Sequence, residues 1–196
     1  MLPRELTAAD FRGYRRTEFP RGSWSVDEDV LHAIAAGPRL DLITRERFAD
    51  FQFSFEWRLP RGGNSGVLYR VSEDDECAGE SGPRMQLLDD EHHPDGVNAL
   101  TACGALYGLI GAWHDQSRIA NVFHRARIVL AGSLAEHWID DVKVLSYDLA
   151  SAELRERIQR SRFKDYPRFA RTPSGHIALG HNGTDAWFRK LRLEAI

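Results

Sequence analysis

In DFQFSFEWRL, residues 50–59, apolar and polar side chains alternate without a break. Phe51, Phe53, Phe55, Trp57 and Leu59 fall on one face of an extended chain, and Gln52, Ser54, Glu56 and Arg58 on the other. A period of two over this length predicts a half-buried antiparallel strand with its aromatic face between two sheets. SWSVDEDVLHAI predicts a hairpin turning at Asp27, Glu28 and Asp29. Further strands are expected in RLDLIT, SGVLYRV, RMQLLD, ALYGLI, HRARIVLA, LAEHWID, VKVLSYD, GHIALG and WFRKLRLEAI. Short strands separated by turn residues along the whole chain predict an all-β fold, a jelly-roll sandwich of two antiparallel sheets. One segment departs from this period. SAELRERIQRSRF sets Leu154 and Ile158 on one helical face behind Ser151 as N-cap, and predicts a single short helical insertion.

Composition narrows the classes of function. The chain has 196 residues and a net charge of −3 with both signs interspersed, which gives no reason to expect a nucleic-acid partner. That length fits one domain spanning 1–196, and no repeat or linker divides it. No apolar run approaches the roughly 20 residues needed to span a membrane. Arg4, Glu5 and Asp10 stand where a signal peptide has its apolar core. The expected location is therefore cytoplasmic as written, or secreted or periplasmic if a leader has been removed. Cys77 and Cys103 are too few for a disulfide framework.

The order of several motifs is specific. DLITRERFADFQFSFEWRLPRGGNSGVLYRV is followed by MQLLDDEHHPD, GALYGLI, AEHWIDDVKVLSYDL, FKDYPRF and GHIALG…WFRKLRLEAI. Together these resemble the 3-keto-disaccharide hydrolase family, a former family of unknown function with the concanavalin A-like lectin/glucanase fold. The resemblance covers nearly the whole chain. Two positions depart from the family pattern. Arg84 stands two residues before Gln86, where the family often carries glutamate. Near the C-terminus, Gly180, His181 and Asn182 replace glutamine, aspartate and histidine.

The resemblance implies a carbohydrate substrate oxidised at C3. A C3 ketone acidifies the C2 hydrogen, so a base can remove it, expel the C1 substituent and leave an enone for water to add to. Such chemistry requires a base near C2, a cation or donor for the enolate oxygen, and an acid for the leaving oxygen. Glu56 and Arg58, about 7 Å apart on one strand face, are candidates for acid or base and for enolate cation; the same pair also suits a surface ion-pair ladder. Glu136 and His181 are the other catalytic candidates. In the glycine-rich RGGNSG stretch, Asn64 and Ser65 are candidate sugar ligands, with Tyr69, Gln86 and Asp89 on the neighbouring strands. Tyr107, Trp113 and Trp138 are candidates for stacking on a pyranose. His137, opposite in phase to Glu136 and Trp138, is expected to be a satisfied core histidine. Asp89, Asp90, Glu91, His92, His93 and Asp95 form a dense run that suits a solvated acidic loop, a divalent metal ion or a catalytic histidine. One concave pocket holding Glu56, Arg58, Asn64, Tyr69, Gln86, Asp89, Glu136 and Trp138 is expected. Two other classes remain open: a lectin-like binding module, and a conventional glycoside hydrolase using Glu56 and Glu136.

Overall fold

The computed structural model describes residues 3–113 and 120–196. Among them lie thirteen strands: β1 (Arg4–Glu5), β2 (Phe11–Gly13), β3 (Trp24–Asp27), β4 (Val30–Ala33), β5 (Leu42–Thr44), β6 (Phe51–Arg58), β7 (Asn64–Val71), β8 (Arg84–Leu88), β9 (His124–Ala131), β10 (Leu134–Ile139), β11 (Val142–Asp148), β12 (His176–Leu179) and β13 (Ala186–Ala195). One helix, α1 (Ala152–Gln159), follows β11. The strands make two antiparallel sheets, one ordered β11-β10-β9-β6-β13-β4-β3 with β1 added to β13, the other β2-β5-β12-β7-β8. Among the described residues no helix is long and apolar enough to cross a membrane.

Alternation in β6 does what it predicts: Phe51, Phe53, Phe55 and Trp57 are 0–2% exposed. They pack with Val67, Tyr69, Met85, Leu87 and Leu179 from the second sheet. The hairpin at 24–33 forms, pairing Asp27 with Val30 across Glu28 and Asp29. Ser151 caps α1 by accepting from the Leu154 amide at 3.1 Å, and Leu154 and Ile158 are buried.

Two segments depart from a simple succession of paired strands. The segment between β6 and β7 is no hairpin loop, because β6 belongs to the larger sheet and β7 to the smaller. Residues 59–63 cross the edge of the sandwich, which explains why two turn residues do not suffice. Gly62 enters the left-handed region (φ 67°), and Asn64 and Ser65 already lie in β7. ALYGLI forms an irregular loop instead of a strand, with Gly104 and Gly108 at φ 82° and 73°. Leu106 makes only isolated bridges to Met85 and Ile110.

A hydrogen-bond chain runs through the core from sheet to sheet. Tyr147 on β11 meets the Tyr69 hydroxyl on β7, and Tyr69 lies 2.9 Å from His137 Nε2 on β10. His137 Nδ1 donates to the Gly104 carbonyl at 2.8 Å, which leaves Nε2 to accept from Tyr69. Every member has a partner, as buried polar groups require. Burial pulls the His137 pKa down to about 4 against the raising effect of the Gly104 carbonyl. The ring is therefore neutral in the folded protein at pH 7. Between about pH 6.5 and pH 4 the unfolded chain takes up a proton that the folded chain refuses, so stability falls with pH across that window. Urea unfolding at pH 7 and pH 4.5 should show the parent chain losing roughly 2–3 kcal/mol more than His137→Gln. Equal losses would contradict the neutral buried ring.

Candidate functional site

The expected pocket residues separate onto two outer faces and the core. Glu56, Arg58, Glu136 and Trp138 project from the outer face of the larger sheet. Asn64 and Gln86 share the outer face of the smaller one. The reason is the crossover at 59–63, which puts the two halves of the motif in different sheets. Tyr69 is fully buried between the sheets, and Ser65 is buried with its hydroxyl donating to the Gly180 carbonyl at 2.8 Å. Asp89 is 3% exposed and accepts from the Gly62 amide at 2.7 Å and His92 Nδ1 at 2.9 Å. It fastens the crossover to the end of β8.

His181 also faces inward. It is 3% exposed, edge-on to Trp24 at 5.9 Å, with Nε2 3.1 Å from the Ile34 carbonyl. With Gly180 on the outer face, the next residue on an extended chain turns into the sandwich. Among the described residues no three His, Cys, Asp or Glu side chains converge as a metal site requires. In the 89–95 run, Asp89 and His92 are tied to each other, and Asp90 accepts from the Cys103 amide at 2.8 Å.

On the larger sheet the polar face is a ladder of paired charges. Glu56 accepts from Arg189 and Lys190, each at 2.7 Å, and these cations outweigh its partial burial and hold its carboxyl below the usual range. Glu136 accepts from Lys143 at 2.9 Å and from Trp138 Nε1 at 2.8 Å. Arg58 lies 4.2 Å from the Trp187 ring, and Arg127 lies 4.3 Å from that of Trp138. Through β9, Glu56 is level with Arg125 and Glu136 with Val129. Four residues along and two strands across place their Cα atoms about 16 Å apart. Both glycosidase geometries, about 5–5.5 Å and 6.5–9.5 Å between carboxyls, need a closer pair. This face does have a cleft, between Glu56, Arg127, Trp138 and Lys190.

The outer face of the smaller sheet is organised differently. Arg84 of β8 lies across Gly66 of β7, where an added Cβ would sit 2.3 Å from its Nε. Its guanidinium donates to the Ser65 carbonyl at 2.6 Å, Asn64 Oδ1 at 3.1 Å and Asn182 Oδ1 at 3.3 Å. Asn64 Oδ1 also accepts from Asn182 Nδ2 at 2.7 Å and Gln86 Nε2 at 3.3 Å. The two departures from the family pattern, Arg84 and Asn182, therefore touch one another. His93 Nε2 lies 3.4 Å from the Asn64 amide. Buried Arg84 Nε and Gln86 Oε1 have no partner among the described residues.

Arg84 and Asn182 of this cluster form one wall of a cavity of about 190 Å³, also lined by Asp41, Cys77, Tyr107, Arg162 and Gly180. Two guanidinia lie over the Tyr107 ring, Arg84 at 5.2 Å and Arg162 at 5.1 Å from its centre. Burial pulls the Arg84 pKa down to about 10, against the raising effect of Asp41. It remains protonated at pH 7. Burial raises the Asp41 carboxyl above its ordinary value, opposed by the His181 amide and Arg84. One Asp41 oxygen accepts from the His181 amide at 2.7 Å. A carboxyl with raised proton affinity beside a fixed cation can exchange a proton with a bound molecule and stabilise the charge left behind.

Of the residues singled out from sequence, Tyr107 lines this cavity, and Asn64 and Gln86 belong to the hydrogen-bond cluster that holds its Arg84. Asp41, Arg162 and Asn182 were not nominated, and Arg84 entered only as a departure. The usable signal for Asp41 was an acid inside the otherwise apolar run LDLI, just before β5.

The sequence profile described as the 3-keto-alpha-glucoside-1,2-lyase-like domain matches residues 5–194. A Bacteroides thetaiotaomicron protein named 3-keto-disaccharide hydrolase is 25% identical over 216 residues, covering 95% of this chain and 74% of that one. Among solved structures, a Parabacteroides distasonis protein provisionally classed as a glycosyl hydrolase superimposes with a TM-score of 0.88 at 20% identity, over 97% of this chain and 90% of that one. The carbohydrate-binding module CBM66 of Bacillus subtilis shares the fold with a TM-score of 0.61 at 12% identity, over 95% and 96% of the two chains. With a match running from Glu5 to Glu194, this chain belongs to the 3-keto-alpha-glucoside-1,2-lyase-like domain family and is an enzyme of the hydrolase type.

Proposed function

We propose that the Asp41–Arg84 cavity binds a 3-keto-glycoside and cleaves it by C2 proton abstraction, elimination of the C1 substituent and hydration of the enone. The observation that carries this reading is the pairing, in one cavity, of a carboxyl whose proton affinity is raised with a buried guanidinium whose direct hydrogen-bond partners are a carbonyl and amide oxygens. Asp41 accepts the C2 proton. Electron density from the C2–H bond moves toward the C3 oxygen, where Arg84 stabilises the enolate. Collapse of the enolate expels the C1 oxygen, and the proton held on Asp41 can return to that leaving group. Water then adds across the enone. No pair of carboxylates set for attack at C1 is required.

This reading moves the base from Glu56 to Asp41. Both oxygens of Glu56 are bound to cations, which favours its charged form and weakens it as a base. Asp41 has the opposite balance.

Asp41→Asn should lower turnover of a 3-keto-disaccharide by about 100-fold or more, the usual scale of general acid–base catalysis. Glu56→Gln should leave it within a few-fold. The reverse ranking would return the site to the larger sheet. Because Asp41 must be deprotonated to act as base, kcat/KM should fall on the acid side with an apparent pKa above that of an ordinary aspartate. An acid limb at or below the ordinary aspartate value would contradict the assignment. In heavy water, the released sugar should carry deuterium at C2, read by NMR. Full retention of the original hydrogen would exclude elimination.

A further inference from the structure

The cavity holds more positive charge than the proposed elimination uses. Arg84 is needed for the enolate, but Arg162 is a second guanidinium on the same rim. Among the described residues neither has a carboxylate oxygen within 4.0 Å, whereas Glu56, Glu73 and Glu136 each have a cation within 2.9 Å. Arg162 projects from the turn after α1, exposed, and rests on Tyr107 and Phe163 at 5.1 and 5.0 Å. It lies near enough to Arg84 for the two charges to repel. The acids that act on this cluster are Asp41, whose burial disfavours its charge, and Asp95. Two cations held together against one tyrosine ring are disfavoured unless an anion joins them. A guanidinium with its stem fixed by aromatic stacking presents its planar donor edge to such an anion.

We propose that the substrate is an acidic sugar, a 3-keto-glycoside carrying a carboxylate, and that Arg162 is the residue that binds this carboxylate. The inference rests on the reading that the cavity takes a 3-keto-glycoside. It assigns Arg84 to the reacting oxygen and Arg162 to recognition of the charged substituent. Neutral glycosides would then be poorer ligands because they leave Arg162 without a counter-charge.

The test uses the Asp41→Asn chain, which can hold ligand without turning it over. Four probes are titrated by calorimetry at low ionic strength: methyl glucoside, methyl glucuronoside, and the 3-keto form of each. The glucuronosides should bind about tenfold or more tightly than the glucosides at either oxidation state, a difference of about 1.4 kcal/mol. Arg162→Gln in the same background should erase that preference, and 0.5 M salt should weaken it. Arg162 is on the surface, so this variant is expected to fold, and its circular dichroism spectrum checks that it has. Equal affinity for acid and neutral sugars would overturn the inference, as would a preference that survives Arg162→Gln. Glucoside 6-sulfate, added as a fifth probe, separates a carboxylate site from a general anion site: sulfate binding as tightly as the uronoside overturns the carboxylate assignment. The comparison of 3-keto with unoxidised sugars tests the underlying reading separately. A charge preference without a keto preference would overturn the 3-keto-glycoside reading while leaving Arg162 as an acidic-sugar site. A keto preference without a charge preference would do the reverse, and no binding by any probe overturns both.

Discussion

A guanidinium brought onto the face of a β-sheet without a carboxylate in hydrogen-bond contact must be held by neutral acceptors, and Arg84 is held in that way. Its side chain fits because position 66 is glycine, and a Cβ there would occupy the space of its Nε. The Ser65 carbonyl and the amides of Asn64 and Asn182 then fix the charged end. Each acceptor is positioned by something else. Asn64 is hydrogen-bonded through its own backbone to Thr184, Ser65 is sealed against Gly180, and the segment carrying Asn182 is anchored by Asp41 and by the buried His181 ring. The glycine-rich crossover, the end of β12 and the loop carrying Tyr107 meet around this one side chain.

The remainder of the sandwich keeps that meeting point rigid. Aromatic residues of β6 fill the space between the sheets, and the Tyr147–Tyr69–His137 chain ends on the Gly104 carbonyl. Gly104 in turn donates its amide to the Gln86 carbonyl, and the Tyr107 amide donates to that of Arg84. Core hydrogen bonding therefore reaches the loop that covers the cavity. The two outer faces differ in how charge is settled. On the larger sheet, Glu56 and Glu136 are neutralised by Arg189, Lys190 and Lys143, while Arg58 and Arg127 rest on indole rings, which describes a solvated surface of modest energetic value. On the smaller sheet Arg12 pairs with Glu73 and Arg70 with Asp50, and it is around the cavity that Arg84 and Arg162 are left to amides and aromatic rings, an arrangement of the kind found where a ligand completes the electrostatics.

Alternation in the chain made much of this legible. The buried face of β6, the hairpin at 24–33, the capped helix at 152–159 and the inward His137 all follow from local period and turn chemistry. What could not be read was which sheet each strand joins. Period two states that Glu56 and Asn64 both face outward but not that the chain crosses between sheets between them, so one expected pocket became two faces and a core. ALYGLI has strand-like composition, yet the positive φ values of Gly104 and Gly108 bend the chain out of any ladder. His181 looked suited to chemistry by residue type, and its phase after Gly180 turned it inward. Asp41 drew no attention because its significance comes from its burial and its neighbours. Family resemblance identified the enzyme class correctly, while the charge arrangement of this site is particular to Arg84 and Asn182.

The most direct measurement is a crystal structure of the Asp41→Asn chain with a slowly reacting 3-keto-glycoside bound. The account predicts the sugar on the outer face of the smaller sheet, its C3 oxygen within hydrogen-bond distance of the Arg84 guanidinium and its C2 beside position 41. A sugar seated in the cleft between Glu56, Arg127 and Trp138, with the Arg84 cavity empty, would contradict it.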